Sequence, residues 1–295
     1  VPLAAARLCP QDCGACAMSI PVPANRQPRD LARAALLLWT ALMFFFLFLP
    51  IFVIVIYSLN GGRNLYVWTE WSTHWYAEAL GNSRAIGALW VSLQTALANA
   101  VIAVLLGVFA GIALARRKGA WTGPYLALIF VILCIPELVS AIGQMIWLDR
   151  IGLFNGLARL SIGHSLFNTA VVALVVKARA EGMGETLEQA AADLGARPWR
   201  SFLDITLPIM FPAVFAGLLL SFTFSFDDVI ISLFVQRPGT STFPIYILSS
   251  MKAGLKGDVA ALAVMTLILS FVGIGVAALL LARGGKGKSL GGLMG

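Results

Sequence analysis

Apolar positions in this chain run in long unbroken blocks, with neither strict alternation nor an amphipathic period. A helix crosses a bilayer with roughly 17–25 mostly apolar residues. Six blocks fit: 34–59, 86–115, 123–148, 160–176, 209–226 and 259–282. Pro50 lies inside the first. The second carries no charge, the third is broken by Pro136 and carries Glu137, and the fourth is the weakest. Pro212 lies near the start of the fifth. The pattern predicts an all-α polytopic membrane protein of about six transmembrane helices. The absence of period-two alternation excludes a membrane β-barrel.

Composition agrees. Of 295 residues, 59% are hydrophobic and 12% charged, against about 45–50% and about 25% in soluble domains. Mean hydropathy is +0.87. These values exclude a soluble globular enzyme, a disordered chain and a coiled coil. The net charge of +7 would suggest nucleic acid in a soluble protein. In a membrane protein it reflects Lys and Arg gathered in cytoplasmic loops, and no nucleic-acid partner is expected. The N-terminal tail, the turn after block two, the loop after block four and the C-terminal tail hold 14 of the 21 basic residues. That bias, with an even number of spans, places both termini in the cytoplasm. The expected organisation is a cytoplasmic tail over 1–33, a transmembrane domain over 34–282 and a cytoplasmic tail over 283–295.

The tails hold no chemistry. Cys9, Cys13 and Cys16 lack a fourth ligand nearby, and Cys134 reads as a small hydrophobe. No metal site or disulfide framework is expected. The chain begins with Val1, and Met18 offers an alternative start that would make residues 1–17 non-native. The tail lacks the layout of a secretion signal. Ala282 to Ser289 loosely fits a phosphate-binding loop. A working one joins a strand to a helix, whereas this one follows a span, so it reads as a basic tail.

The loop between blocks four and five is patterned. Thr186 to Gln189 has the form of a capping box, with Gln three residues after the hydroxyl. Ala190, Ala191 and Ala192 favour helix. Gly195 suits a helix stop, with Pro198 just beyond. A second amphipathic stretch, 199–207, is expected to end at Pro208. A structured knuckle there suits docking to another protein.

Gln189-Ala190-Ala191, then Gly195 and Ile205-Thr206-Leu207-Pro208, resemble the EAA loop of ABC importer permeases. That pattern is E-A-A, three residues, G, nine residues, I-x-L-P, and the spacing fits throughout. The departure is Gln189, where the family usually has Glu, while Glu188 sits one residue early. The wider chain resembles the polyamine (spermidine/putrescine) branch. Cys134 to Val139, Ser225 to Ile231 and Arg237 to Pro244 carry that likeness, and importers of ferric iron, phosphonates and opines share parts of it. The resemblance implies a subunit that pairs with a second permease, each permease docking one of two ATP-binding cassette subunits. It also implies a periplasmic substrate-binding protein and a bacterial inner membrane. The docking loop would include Glu188, Gln189, Ala190, Ala191, Asp193, Gly195, Ile205, Leu207 and Pro208. The chain would have no catalytic residues or cofactor of its own, ATP being bound by the partner.

Four residues are candidates for a substrate pathway. Glu137 is the one formal charge inside the six blocks, and a carboxylate at membrane depth faces protein or water. It reads either as a contact for a substrate ammonium or as a hydrogen-bonding group at a helix end. Asp227 and Asp228 are expected where block five leaves the membrane on the outer side. They suit an entering polycation or a solvated helix end, and adjacent helical residues point about 100° apart. Trp147, on α-helical spacing beyond Glu137 with Gln144 and Asp149, could stack on an ammonium or anchor at the interface. His74 and His164 have no ligand-spaced neighbours. Gly107 and Gly111 suggest close helix packing. A self-contained secondary transporter is the alternative. It leaves the knuckle unexplained, and the internal repeat such folds often carry is absent. An integral membrane enzyme would need a nucleophile–base or metal constellation that the sequence lacks.

Overall fold

The computed structural model describes residues 27–62, 67–117, 119–252, 254 and 257–286. The expectations for Cys9, Cys13, Cys16, Met18 and Ser289 lie outside them. The elements are α1 (Gln27–Tyr57), α2 (His74–Gly81), α3 (Ser83–Arg116), α4 (Thr122–Cys134), α5 (Glu137–Arg150) and α6 (Gly156–Met183). They continue with α7 (Thr186–Asp193), α8 (Pro198–Ser201), a π-helical turn (Phe202–Thr206), α9 (Leu207–Phe226), α10 (Ile230–Val235), α11 (Phe243–Lys252) and α12 (Gly257–Lys286). Among the described residues the only β pairing is an isolated bridge between Asn60 and Trp71. The all-α expectation holds.

Four helices are long and apolar enough to cross a membrane, and the bent pair α4–α5 makes a fifth span if counted as one. The apolar part of α12 among the described side chains is Gly257–Gly273. The chain forms two units, Val1–Phe52 and Val53–Gly295. The described part of the first is a run of α1 that begins at Gln27, inside the expected tail. Its large side chains from Leu31 to Phe52 are exposed, as suits a surface solvated by lipid.

In the second unit α3, α6 and α9 form the centre. Small residues let them approach. A Cβ on Gly107 would lie 2.7 Å from Val172, and one on Gly111 would lie 2.6 Å from the Ala173 carbonyl. The glycine pair is therefore a packing device, since apolar burial drives little helix association in lipid and close van der Waals fit takes over. Ala103, Val108, Val172, Val176, Ala180 and Met210 fill the contact. A second cluster joins Ala79, Ala85, Ala88, Phe243 and Leu262 of α2, α3, α11 and α12. Asn side chains set two starts. Asn82 accepts from the N–H groups of Arg84 and Ala85, and Asn155 from that of Ala158.

Two helix paths are broken. Between α4 and α5 the chain bends by 106° at Ile135–Pro136, because Pro136 has no N–H to continue α4. The path of α9 stops at Phe226, turns through Asp227–Val229 and resumes as α10. Before that break, Pro198–Phe226 is one continuous helical run of 29 residues. The expected stop at Pro208 is therefore corrected. The Leu207 N–H bonds the Phe202 carbonyl in a wide π turn, which relieves the clash of the Pro208 ring with the preceding turn.

Candidate functional site

The two breaks meet. Pro136 delivers Glu137 as the first residue of α5, and Asp228 sits in the turn before α10. Their carboxyl groups are near neighbours. Ala141 and Leu148 of α5 pack on Ile231 and Val235 of α10 and hold the two short helices together. Both carboxylates stand at helix starts, where free N–H groups favour negative charge. Asp228 Oδ1 accepts the Ser232 N–H at 2.8 Å.

His164 of α6 lies under this pair, 2% exposed. Its Nδ1 is 2.6 Å from Ser225 Oγ, and its Nε2 is 3.1 Å from Ser232 Oγ. Nε2 is also 3.4 Å from Asp228 Oδ1. His164 is eight residues into α6, about 12 Å along its axis from Gly156. Asp228 stands just past the end of the Pro198–Phe226 span. It sits well inside the length of α6, at the broken end of α9. Asp227 is exposed and makes no side-chain hydrogen bond among the described residues. The adjacent aspartates are divided by the non-helical turn between α9 and α10.

Trp147 is not brought to the pair. It lies ten residues along α5 from Glu137, about 15 Å by helical rise, and is 58% exposed. With Tyr125, Gln144, Ser165 and Thr169 it lines a cavity of about 680 Å³ beside the α4–α5 bend. At the far end of α5, Asp149 Oδ1 accepts from the Nη1 of Arg159 and the Nη2 of Arg237, each at 2.6 Å. Arg159 is buried and also donates to the Val235 and Leu153 carbonyls. Arg237 lies 5.6 Å over the Phe154 ring. This lock ties α5, α6 and the end of α10. Sequence reasoning missed it, as it missed His164, Ser225 and Ser232, because the partners stand about 60–90 residues apart in some pairs and no local pattern marks them.

At the other end of the bundle, α7 forms the expected short helix, with two changes. Thr186 is its first residue, not its cap, and Glu185 at the N-cap makes no side-chain bond. The capping box is not formed. Instead Glu188 turns inward: Arg116 Nη2 donates to its Oε1 at 3.1 Å, Arg116 Nε lies 3.0 Å from its Oε2, and Thr206 Oγ1 donates at 2.9 Å. A pair of charge-assisted bonds outweighs a cap. Gln189 and Ala190 stay exposed. The helix ends at Gly195, φ +78°. Its N–H bonds the Ala192 carbonyl and that of Ala196 the Ala191 carbonyl, a Schellman stop that requires a left-handed residue. Asp193 and Gly195 are exposed, Ala191 is buried, and Ile205, Leu207 and Pro208 belong to the continuous run that follows. Leu187, Leu194 and Trp199 present apolar surface around this knuckle, Leu194 being 89% exposed.

Broken spans around paired carboxylates, with a helical knuckle at one end of the bundle, define a membrane transport subunit. Residues 103–284 match the family model described as "Binding-protein-dependent transport system inner membrane component". The chain belongs to this family of ABC importer permeases. It is 36% identical to the putrescine transport system permease protein PotI of Escherichia coli, covering 78% of this chain and 84% of that one. It is 34% identical to the spermidine/putrescine transport system permease protein PotC of Escherichia coli, over 81% and 90%. Among solved structures, the bacterial alginate ABC transporter in complex with a pentasaccharide-bound periplasmic protein matches with a TM-score of 0.69 at 15% identity. That match covers 86% of this chain and 95% of the other. The MetNI methionine transporter matches with a TM-score of 0.57 at 14% identity, over 68% and 95%. These two likenesses concern the fold.

Proposed function

We propose that this permease subunit moves polyamines, putrescine or spermidine, into the cytoplasm. The reading is carried by the meeting of Glu137 and Asp228. Two neighbouring carboxylates, Glu137 exposed and Asp228 half-buried, with no Lys or Arg ion pair to either among the described residues, suit a substrate that brings its own ammonium groups. Arg159 and Arg237, beside the far end of α5, are taken up by Asp149. The names of the relatives PotI and PotC point the same way. Asp227 and Trp147 are assigned to outer surface and cavity lining, away from the ammonium contact.

Membership of the family supports the rest of the assembly. A second permease, in a heterodimer, completes the pathway, and a periplasmic binding protein delivers substrate. One of the two separate ATPase subunits docks at the α7 knuckle, with Leu187, Leu194 and Trp199 as apolar contacts around Gln189, Ala190, Asp193 and Gly195. This chain handles no ATP itself. Helix α12, 30 residues and about 45 Å long, serves as the sixth span, which puts both termini in the cytoplasm.

The test is uptake of labelled putrescine and spermidine by cells with and without the gene, repeated with vanadate and with a protonophore. Gene-dependent uptake that vanadate blocks is the expected result. Uptake stopped by the protonophore alone would overturn the ABC reading in favour of a secondary transporter. A permease that assembles with an ATPase yet moves no polyamine would redirect the search to iron, phosphonates and opines. The 27% identity to a putative 2-aminoethylphosphonate transport system permease protein of Salmonella typhimurium makes phosphonates the first of these to try.

A further inference from the structure

We propose that His164 is the positioning residue of the carboxylate pair: its imidazole holds Asp228 beside Glu137 and ties it to the end of the long α8–α9 run. The inference rests on the reading of Glu137 and Asp228 as the ammonium contact.

The geometry is specific to an imidazole. The ring offers two nitrogens that point in different directions, and each finds a partner on one side of the α9–α10 break. Nδ1 meets Ser225 in the last turn of α9, and Nε2 meets Ser232 of α10 together with Asp228 in the turn between them. Among the described residues no other side chain hydrogen-bonds to both α9 and α10. Gly163 makes the reach possible. A Cβ there would stand 3.3 Å from side-chain carbons of Ile231 and Val235, so α10 rests against the backbone of α6 beside the ring. An ionised carboxylate only accepts. With its proton on Nε2 the ring donates to Ser232 Oγ and turns that N–H edge toward Asp228 Oδ1, 3.4 Å away, while the Ser225 hydroxyl donates to Nδ1. An N–H from an imidazole orients the carboxylate and leaves its charge for an ammonium. A Lys or Arg in the same place would form an ion pair with Asp228 and cancel that charge.

The placement also gives the bond a mechanical meaning. The run Pro198–Phe226 spans about 43 Å. Within it Thr206 is bonded to Glu188 of the knuckle, and Ser225, about 28 Å further along, is bonded to His164. A displacement of the knuckle end reaches Ser225 through a continuous helix. His164 is the side chain that carries it across the break to Asp228.

The experiment uses the whole transporter in proteoliposomes with its binding protein. It reads initial uptake of labelled putrescine and ATP hydrolysis in the same vesicles. His164→Leu removes both bonds, His164→Gln keeps one, Asp228→Asn removes the charge, and the double variant His164→Leu/Asp228→Asn closes a cycle. We expect His164→Leu to lower uptake per ATP about tenfold, the scale of one lost hydrogen bond to a charged group, with hydrolysis within about twofold of the parent. His164→Gln should restore part of the loss, to about threefold below the parent. The double variant should transport no worse than Asp228→Asn alone, because His164 acts through that carboxylate. Parental uptake per ATP in His164→Leu, or losses that multiply in the double variant, overturns the positioning role. Parental uptake in Asp228→Asn instead overturns the ammonium reading itself. If the leucine variant does not assemble, the glutamine variant decides: a threefold loss of coupling supports the role, and parental coupling refutes it.

Discussion

Removing Glu188 is the sharpest test of how the knuckle is held. The carboxylate receives two guanidinium contacts from Arg116 and one hydroxyl from Thr206. The Arg116 and Glu188 side chains are 14% and 25% exposed. A fully exposed pair contributes about 0.2–1 kcal/mol, whereas breaking a fully buried one costs about 3–5 kcal/mol. This pair lies between, so Glu188→Ala should cost about 2 kcal/mol, a factor of about 30 in the equilibrium that keeps α7 seated. At about 2–4 °C per kcal/mol for a domain of this size, the melting temperature should fall by about 4–8 °C. Arg116→Ala should do nearly the same, and the double variant little more. The coupling energy of that cycle should be about 1–2 kcal/mol. Gln189→Ala, at an exposed site without side-chain bonds, serves as the control and should leave melting unchanged. Thermal unfolding of the purified transporter gives the energies, and ATP-dependent uptake gives the consequence: a loosened α7 transmits hydrolysis poorly, so uptake per ATP falls. Strict additivity of the two single variants, or parental coupling in Glu188→Ala, would refute the account of α7 as a part clamped to α3 and α9.

The other consequences are simpler. Gly111→Ala forces a Cβ to 2.6 Å from the Ala173 carbonyl and should destabilise by about 1–3 kcal/mol. Gly87→Ala in the same helix meets nothing within 4 Å and should be neutral or stabilising by up to about 1 kcal/mol; equal melting of the two variants would count against the packing. Glu137→Gln should lower putrescine transport about tenfold at unchanged ATP hydrolysis, while Asp227→Asn stays within about twofold; equal losses would contradict the assignment of the ammonium contact to Glu137 and not Asp227. Asp149→Ala leaves buried Arg159 without its carboxylate and should cost about 3 kcal/mol. Restoration by Asp149→Glu is expected, and parental melting of the alanine variant would show that the lock holds nothing. A cysteine at Leu194 should react with a membrane-impermeant thiol reagent only in inverted vesicles; labelling in intact cells would reverse the proposed orientation.

Much of the architecture is written along the chain, for local reasons. A block of 20 or more apolar residues must satisfy its backbone internally in lipid, and a helix does so with no partner. Block positions therefore foretold α1, α3, α6, α9 and α12, with ends displaced by a few residues. Gly195 foretold the end of α7, because a left-handed residue is a one-residue requirement. Gly107 and Gly111 foretold a close helix contact, though not that Val172, Ala173 and Val176 would supply it.

What only the tertiary structure decided is which distant groups meet. Capping patterns assigned Thr186 and Gln189 to each other, yet Arg116, some 70 residues earlier, captured Glu188 and left Gln189 in solvent. The sequence placed Asp228 at the far exit of its span and treated His164 as a residue without neighbours. Folding broke the chain between α4 and α5 and between α9 and α10, set Glu137 beside Asp228, and left Asp227 exposed. The chain alone determined that there would be helices in a membrane and a short capped helix at one end, because length, hydropathy and a left-handed stop act within a few turns. The carboxylate pair, its histidine and the arginine lock depend on crossings between α3, α5, α6, α9 and α10. Those crossings follow from glycine contacts and helix breaks whose partners lie tens of residues away, and no local pattern encodes them.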